Sequence, residues 1–269
     1  MITRYLTKNP CYQQGKWIAV RGLMLHSVGT AQPDPLVFIH AWDSPTYDRA
    51  CVHGFIGQEE TYVTLPILTT PGQAMRGWHG GGSSNNTHIG VEMCEPETIR
   101  YIGGASFTVQ DREAAVAFVE KVIQRAVKLF AQLCQFHGLD PLADGVVLSH
   151  AEGNRRGIAS NHGDPESLWR GLQMDYSMDH FRHQVAEAMK GEDEEMDVQA
   201  FIDNLTAEQA FQIMQKAELH TKTQPEPTWS QKEGTWQKAV QMGLVDGSRP
   251  EGFAKRDEVI AILGRVGLV

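Results

Sequence analysis

Residues 149–169, SHAEGNRRGIASNHGDPESLW, decide how the chain is read. The segment leaves the apolar run GVVLS (145–149), presents His150, passes through a polar, glycine-bearing loop and returns with His162 and Asp164 just ahead of Pro165. An Asp-Pro pair before a periodic stretch is a helix-start signal, because the carboxylate caps free N–H groups and proline suits the first turn. A helix is therefore expected over 165–190. A strand that ends in such a loop and re-enters a helix is a unit of an α/β sheet, and it sets polar side chains on rigid supports at the mouth of a cleft.

Strand signals recur upstream at 22–28 (GLMLHSV), 36–40 (LVFIH), 51–56 (CVHGFI), 61–65 (TYVTL) and 89–93 (IGVEM). Each run is short, apolar and bounded by Gly, Pro or Asp. From Asp111 to His137 apolar residues fall at spacings of three and four and stop at Gly138, which predicts a long amphipathic helix. Mixed strands and helices imply an α/β domain over residues 1–190. The acidic stretch GEDEEMD (191–197) reads as a solvated linker, and 198–269 as a small all-α module without tandem repeats.

Composition removes several classes. Lys and Arg number 24 against 33 Asp and Glu, a formal charge of −9, and the basic residues are scattered. That is not the footprint of a nucleic-acid binder. The N-terminus lacks the apolar run of a secretory signal, and no stretch is long enough to span a membrane, so synthesis in a cytoplasm without a signal peptide is expected. The four cysteines, Cys11, Cys51, Cys94 and Cys134, form no C-x-x-C pair and read as reduced. The glycines at 80–82 are not a phosphate loop, since no G-K-[ST] follows.

His26 lies in a strand run whose neighbours should face a core. It is either a hydrogen-bonded core histidine or, if its strand lies beside the one ending at Ser149, a partner of His150 and Asp164 around one metal ion. Three protein ligands leave a fourth position open for water, the arrangement of a catalytic zinc site.

Three pieces, GLMLHSVG (22–29), WHGGGSSNNTHIGVEMCE (78–95) and SHAEGNRRGIASNHGDPESLW (149–169), together resemble the signature regions of the N-acetylmuramoyl-L-alanine amidase type 2 family, which includes the peptidoglycan recognition proteins. The resemblance covers roughly residues 20–185. It implies a central mixed sheet flanked by helices, with Zn²⁺ held by His26, His150 and Asp164. It implies Glu92, which follows Ile89-Gly90-Val91, as general base. It also places His162 where the family commonly carries a lysine that polarises the scissile carbonyl. A histidine can donate the same hydrogen bond, but its charge depends on pH near neutrality as a lysine's does not. His79 and His53 resemble positions that line the substrate groove; the alternative for each is a packed or hydrogen-bonded residue. The implied partner is peptidoglycan, its glycan strand and stem peptide, and the implied reaction is hydrolysis of the muramoyl–L-alanine amide. The alternative is a non-catalytic muropeptide-binding module.

Residues 229–269 resemble one repeat of the surface-layer homology type, which implies wall anchoring or a homo-oligomer formed through this module. A separate tail suits a phage or prophage endolysin, acting on the wall after release. A recycling enzyme acting on cytosolic muropeptides is the other expectation.

Overall fold

Six strands build the central sheet in the computed structural model, which describes residues 1–192 and 235–243. In chain order they are β1 (Ile2–Thr3), β3 (Gly22–Ser27), β4 (Gly54–Ile56), β5 (Thr61–Val63), β7 (His88–Met93) and β10 (Val147–Ser149). Their spatial order is β1-β5-β4-β7-β3-β10. Only β4 and β5 pair antiparallel; β4, β7, β3 and β10 run parallel, so the sheet is mixed. Two small antiparallel pairs lie apart from it: β2 (Trp17–Ala19) with β6 (Gln73–Met75), and β8 (Ile99–Gly103) with β9 (Ser106–Val109).

Strands β3 and β7 are buried along nearly their whole length, as expected of central strands covered on both faces. On one face Leu23, Leu25, Ile89, Val91 and Met93 join a core with helix α3 (Arg112–His137). That helix forms as its pattern predicts. Asp111 accepts the Ala114 N–H at 3.0 Å, and Gly138 closes the last turn at φ 67°, a left-handed cap. Helix α6 (Met178–Glu192) packs on α3 with Phe181 edge-to-face against Phe130 at 5.0 Å. On the other side of the molecule Leu6, Cys11, Ile39, Cys51, Phe55 and Leu65 form a second apolar cluster with α1 (Pro10–Gln13) and α2 (Pro35–Trp42). All four cysteines are free and buried.

Three local expectations are corrected. The run 36–40 is not a strand but part of α2, because Asp34 accepts the Leu36 N–H at 2.8 Å and Pro35 occupies the first turn. The Asp-Pro start signal outweighs β-branched composition there. The polar loop after Ser149 begins with a helix, α4 (His150–Arg155). The helix expected over 165–190 is two, α5 (Glu166–Gly171) and α6, interrupted where Gln173 takes φ 53°. Asp164 does not cap α5; its carboxylate turns to the site described below.

The chain divides into two compact units, Met1–Glu194 and Glu195–Val269. In the second, helix α7 (Thr235–Gln241) is described; of the expected acidic linker, Gly191 and Glu192 belong to α6, while residues 193–197 and the rest of the expected all-α module, including the surface-layer-like turn, lie outside the described residues. No helix among the described residues is long and apolar enough to cross a membrane.

Buried histidines tie this frame together and make its stability depend on pH. Burial pushes His53 down to about 4, against the opposing pull of hydrogen bonds to Met75 and Gly90, and His88 and His137 shift the same way through burial. Their folded values lie below the unfolded value of about 6.5, so the unfolded chain binds more protons as pH falls. Their contribution is full above about pH 6.5 and drains toward about pH 4, at up to ~1.4 kcal/mol per pH unit for His53. Buried Glu92, pushed up to about 7, works in the opposite sense over the same range, so the histidine contribution is read as a difference: from about pH 7 to about pH 5 calorimetry should show the wild-type melting midpoint losing more, or gaining less, than that of His53→Gln. Equal shifts in the two proteins would contradict this account.

Candidate metal and catalytic site

Register creates the site. In the β3–β7 pair Leu25 lies opposite Val91 and His26 opposite Glu92; across β3–β10 Leu25 lies opposite Ser149. Strand side chains alternate between faces. Because Leu25 and Val91 point into the α3 core, His26 and Glu92 point together to the other face, near the carboxyl ends of the parallel strands. That end of an open α/β sheet is where ligands bind.

His150 follows Ser149 as the first residue of α4, and its backbone is held by a capping box. The Ser149 hydroxyl accepts the Glu152 N–H at 3.0 Å, while Glu152 accepts the Ser149 N–H at 3.1 Å. Arg182 of α6 donates to both Glu152 oxygens at 2.9 and 3.1 Å, and the Ser149 hydroxyl donates to Glu166 of α5 at 2.7 Å. Three helices thus fix one histidine. Asp164 is held where its carbonyl accepts the Ala151 N–H and its Oδ2 accepts the Ser27 N–H, each at 3.3 Å.

The sequence-predicted ligands converge. His26 Nδ1 lies 3.0 Å from His150 Nδ1 and 3.3 Å from Asp164 Oδ2, and His150 Nδ1 lies 3.6 Å from Asp164 Oδ1. His26 and His150 are buried, and Asp164 is largely so. Burial works against charge on His26, but the hydrogen bond to Asp164 and the carboxylates of Glu92 and Asp164 raise it overall. Asp164, despite its own burial, is held below the usual carboxylate range by His26 and His150. His150 is lowered to about 4 by burial and by His26. Two imidazole nitrogens and a carboxylate this close form a group able to hold a metal ion.

Glu92 stands beside them with Oε2 buried and without a hydrogen-bond partner among the described residues. Burial pushes its carboxyl up to about 7, eased by His26 and reinforced by Asp164 and Glu95. A carboxylate with an unfilled acceptor and such an affinity for protons suits proton transfer near neutrality. His162 is exposed; its Nδ1 lies 3.0 Å from Ser160 Oγ, which lies 3.1 Å from His150 Nε2. The two rings are 4.6 Å apart.

The other two histidines are buried. His53 is fully buried; its Nε2–H donates to the Met75 carbonyl at 2.8 Å and its Nδ1 accepts the Gly90 N–H at 2.9 Å, which makes it a core pin. His79 is buried against His26, with Nδ1 3.0 Å from His26 Nε2, and burial with its imidazole neighbours holds its pKa well below the usual value. Of the glycines at 80–82, Gly82 lies against the Ile158 carbonyl, and the Gly80 carbonyl accepts the Ser160 N–H at 2.7 Å.

Several supports went unread in the sequence. The S-x-x-E spacing of Ser149 and Glu152 signalled the capping box. Nothing local marked Arg182 as its partner or Ser160 as a link between His150 and His162. Glu95, fully buried, accepts the Gly29 N–H at 2.9 Å and the Tyr101 hydroxyl at 2.7 Å, clasping the β8–β9 hairpin to the loop after His26.

Comparison with known proteins agrees with this architecture. The family model of N-acetylmuramoyl-L-alanine amidase matches residues 16–167, more than half of the 269-residue chain. The structure of Staphylococcus aureus hydrolase AmiA in complex with its ligand is similar at a TM-score of 0.52 and 20% identity, over 70% of this chain and 82% of that one. A mutant endolysin from Bacillus subtilis aligns at 0.46 and 18% identity, over 68% and 97%. Among curated proteins none matches the chain in sequence. With the family match spanning strands β3 and β7, which carry His26 and Glu92, and the start of α4, which carries His150, the chain belongs to the N-acetylmuramoyl-L-alanine amidase family.

Proposed function

We propose that the chain hydrolyses the amide between the lactyl group of N-acetylmuramic acid and the L-alanine of the stem peptide in peptidoglycan, using zinc held by His26, His150 and Asp164. One observation carries this reading: His26 from a strand, His150 from a helix start and Asp164 from a loop each offer one ligand atom, and these atoms all lie within 4.8 Å of one another. A tetrahedral zinc with bonds of about 2.0–2.2 Å needs its nitrogen and oxygen ligands about 3.3–3.6 Å apart, and the nearest approaches, 3.0 Å between the two Nδ1 atoms and 3.3 and 3.6 Å to the two Asp164 oxygens, bracket that spacing. When bound, the ion supplies Lewis acidity that polarises the amide carbonyl and makes water a usable nucleophile near neutral pH.

The chain's own groups handle the protons. Glu92 takes a proton from the attacking water and delivers one to the departing alanine nitrogen as the carbon–nitrogen bond breaks. His162, whose Nδ1 is engaged by Ser160, turns Nε2 to the substrate and donates to the oxyanion. A complete ligand set favours catalysis over muropeptide binding alone. The second unit would hold the enzyme on the wall or pair it with a second copy, as in an endolysin.

Glu92→Gln should retain zinc by elemental analysis and lose ~10²–10⁴-fold in turnover, with wild-type digests of purified cell walls releasing new L-alanine amino termini detectable by mass spectrometry. Digestion by Glu92→Gln at the wild-type rate would remove Glu92 from the mechanism. His26→Ala should lose zinc and activity together; a variant that keeps its zinc would show that the ligand set is wrong.

A further inference from the structure

Resting on the zinc set proposed above, we propose that His79 is a positioning residue: it transmits the polarity of one backbone carbonyl to His26 and so fixes the tautomer that leaves the Nδ1 lone pair of His26 free for the metal.

The chain of hydrogen bonds runs in one direction. His79 Nε2 lies 3.0 Å from the His88 carbonyl oxygen. A carbonyl only accepts, so Nε2 of His79 carries a hydrogen. His79 is buried, its ring partners are that carbonyl and His26 Nε2, and no carboxylate balances a charge on it, so the ring is neutral and its Nδ1 is an acceptor. The 3.0 Å contact between His79 Nδ1 and His26 Nε2 then requires the hydrogen on His26 Nε2. Asp164 Oδ2, 3.3 Å from His26 Nδ1, draws a hydrogen to that atom; the shorter 3.0 Å contact to His79 holds it on Nε2 instead, so that in the neutral His26 ring the lone pair is left on Nδ1, the atom that faces His150 and Asp164. Free imidazole exchanges between its two tautomers; here a carbonyl two residues before Gly90 selects one.

The position is built for this ring. A methyl group on Gly90 would overlap the His79 ring, so the glycine between Ile89 and Val91 is the floor on which it lies. His53 holds that floor from both sides, donating its N–H to the Gly90 carbonyl at 2.9 Å and accepting the Gly90 N–H on its Nδ1. From the opposite side Asn85 accepts the His79 N–H at 2.9 Å. His150 has no such anchor, since its Nε2 meets the Ser160 hydroxyl, which can donate or accept. The two histidines therefore differ: one tautomer is fixed by the backbone, the other by a rotatable hydroxyl.

The test combines zinc affinity, by competition with a chelator, with nitrogen-15 NMR of the histidine rings in metal-free full-length protein at alkaline pH, where His26 is neutral. In the wild type His26 should be the Nε2–H tautomer. His79→Leu, which removes the acceptor, should show mixed tautomers and bind zinc ~10–100-fold more weakly. His79→Gln, which restores an acceptor, should recover much of the affinity. Gly90→Ala keeps the His79 ring but displaces it, and should weaken zinc binding in the same direction. An Nδ1–H tautomer in the wild type, or wild-type zinc affinity in folded His79→Leu, overturns the proposal. Wild-type protein that takes up no zinc would instead overturn the zinc reading, while the tautomer measurement still decides the role of His79.

Discussion

Everything at the site depends on the parallel pairing of β3 with β7, which sets His26 directly opposite Glu92. A slip of β3 by one residue would turn His26 toward α3, away from Glu92, and bring Leu25 to the other face. The register is protected because Leu23, Leu25, Ile89, Val91 and Met93 each bury an apolar side chain in the α3 core. At roughly 1.5–3 kcal/mol for fully burying such a side chain, the slipped pairing is far above the native one. Hydrophobic burial on one face thus dictates polar geometry on the other.

Placing imidazoles and carboxylates in that interior carries a desolvation cost. The chain offsets most of it locally: His53, His88 and His137 satisfy both ring nitrogens, and Glu95 is met by a backbone N–H and a tyrosine hydroxyl. Glu92 Oε2 is one of five buried side-chain polar atoms without a hydrogen-bond partner among the described residues, and it stands beside the cluster of metal-type ligands. Satisfied polar groups rigidify, whereas an unsatisfied carboxylate retains its affinity for a proton. The rigid surroundings also matter for reactivity. His150 sits on a helix start locked by Ser149, Glu152 and Arg182, so the ligand atoms are preorganised and need little reordering to meet an ion.

The misread segments share a cause. LVFIH at 36–40 has strand composition, yet the Asp34–Pro35 start makes it a helix, with Pro35 and Ile39 buried one turn apart and Val37 exposed between them. The same Asp-Pro pair at 164–165 was read as a cap, but there the aspartate is drawn to two imidazoles by charge, and tertiary attraction overrides the local use of the carboxylate. His53 and His79 look alike in sequence as histidines beside glycine. Their partners, Met75, Gly90, His88 and His26, lie elsewhere in the chain, so the sequence left packing and groove lining open as alternatives for both.

The sequence alone determined the α/β alternation and the limits of α3, because periodicity and caps are local properties written along the chain, and its resemblance to a family singled out His26, His150, Asp164 and Glu92 as candidates. Only the tertiary structure decided which strands are neighbours, which face His26 takes, and that His79 and Ser160 stand behind His26 and His150. Those facts arise from contacts between residues 53 and 124 positions apart, such as His26 with His79 and His26 with His150. Such contacts form when apolar burial closes the sheet, and no short stretch of sequence encodes them.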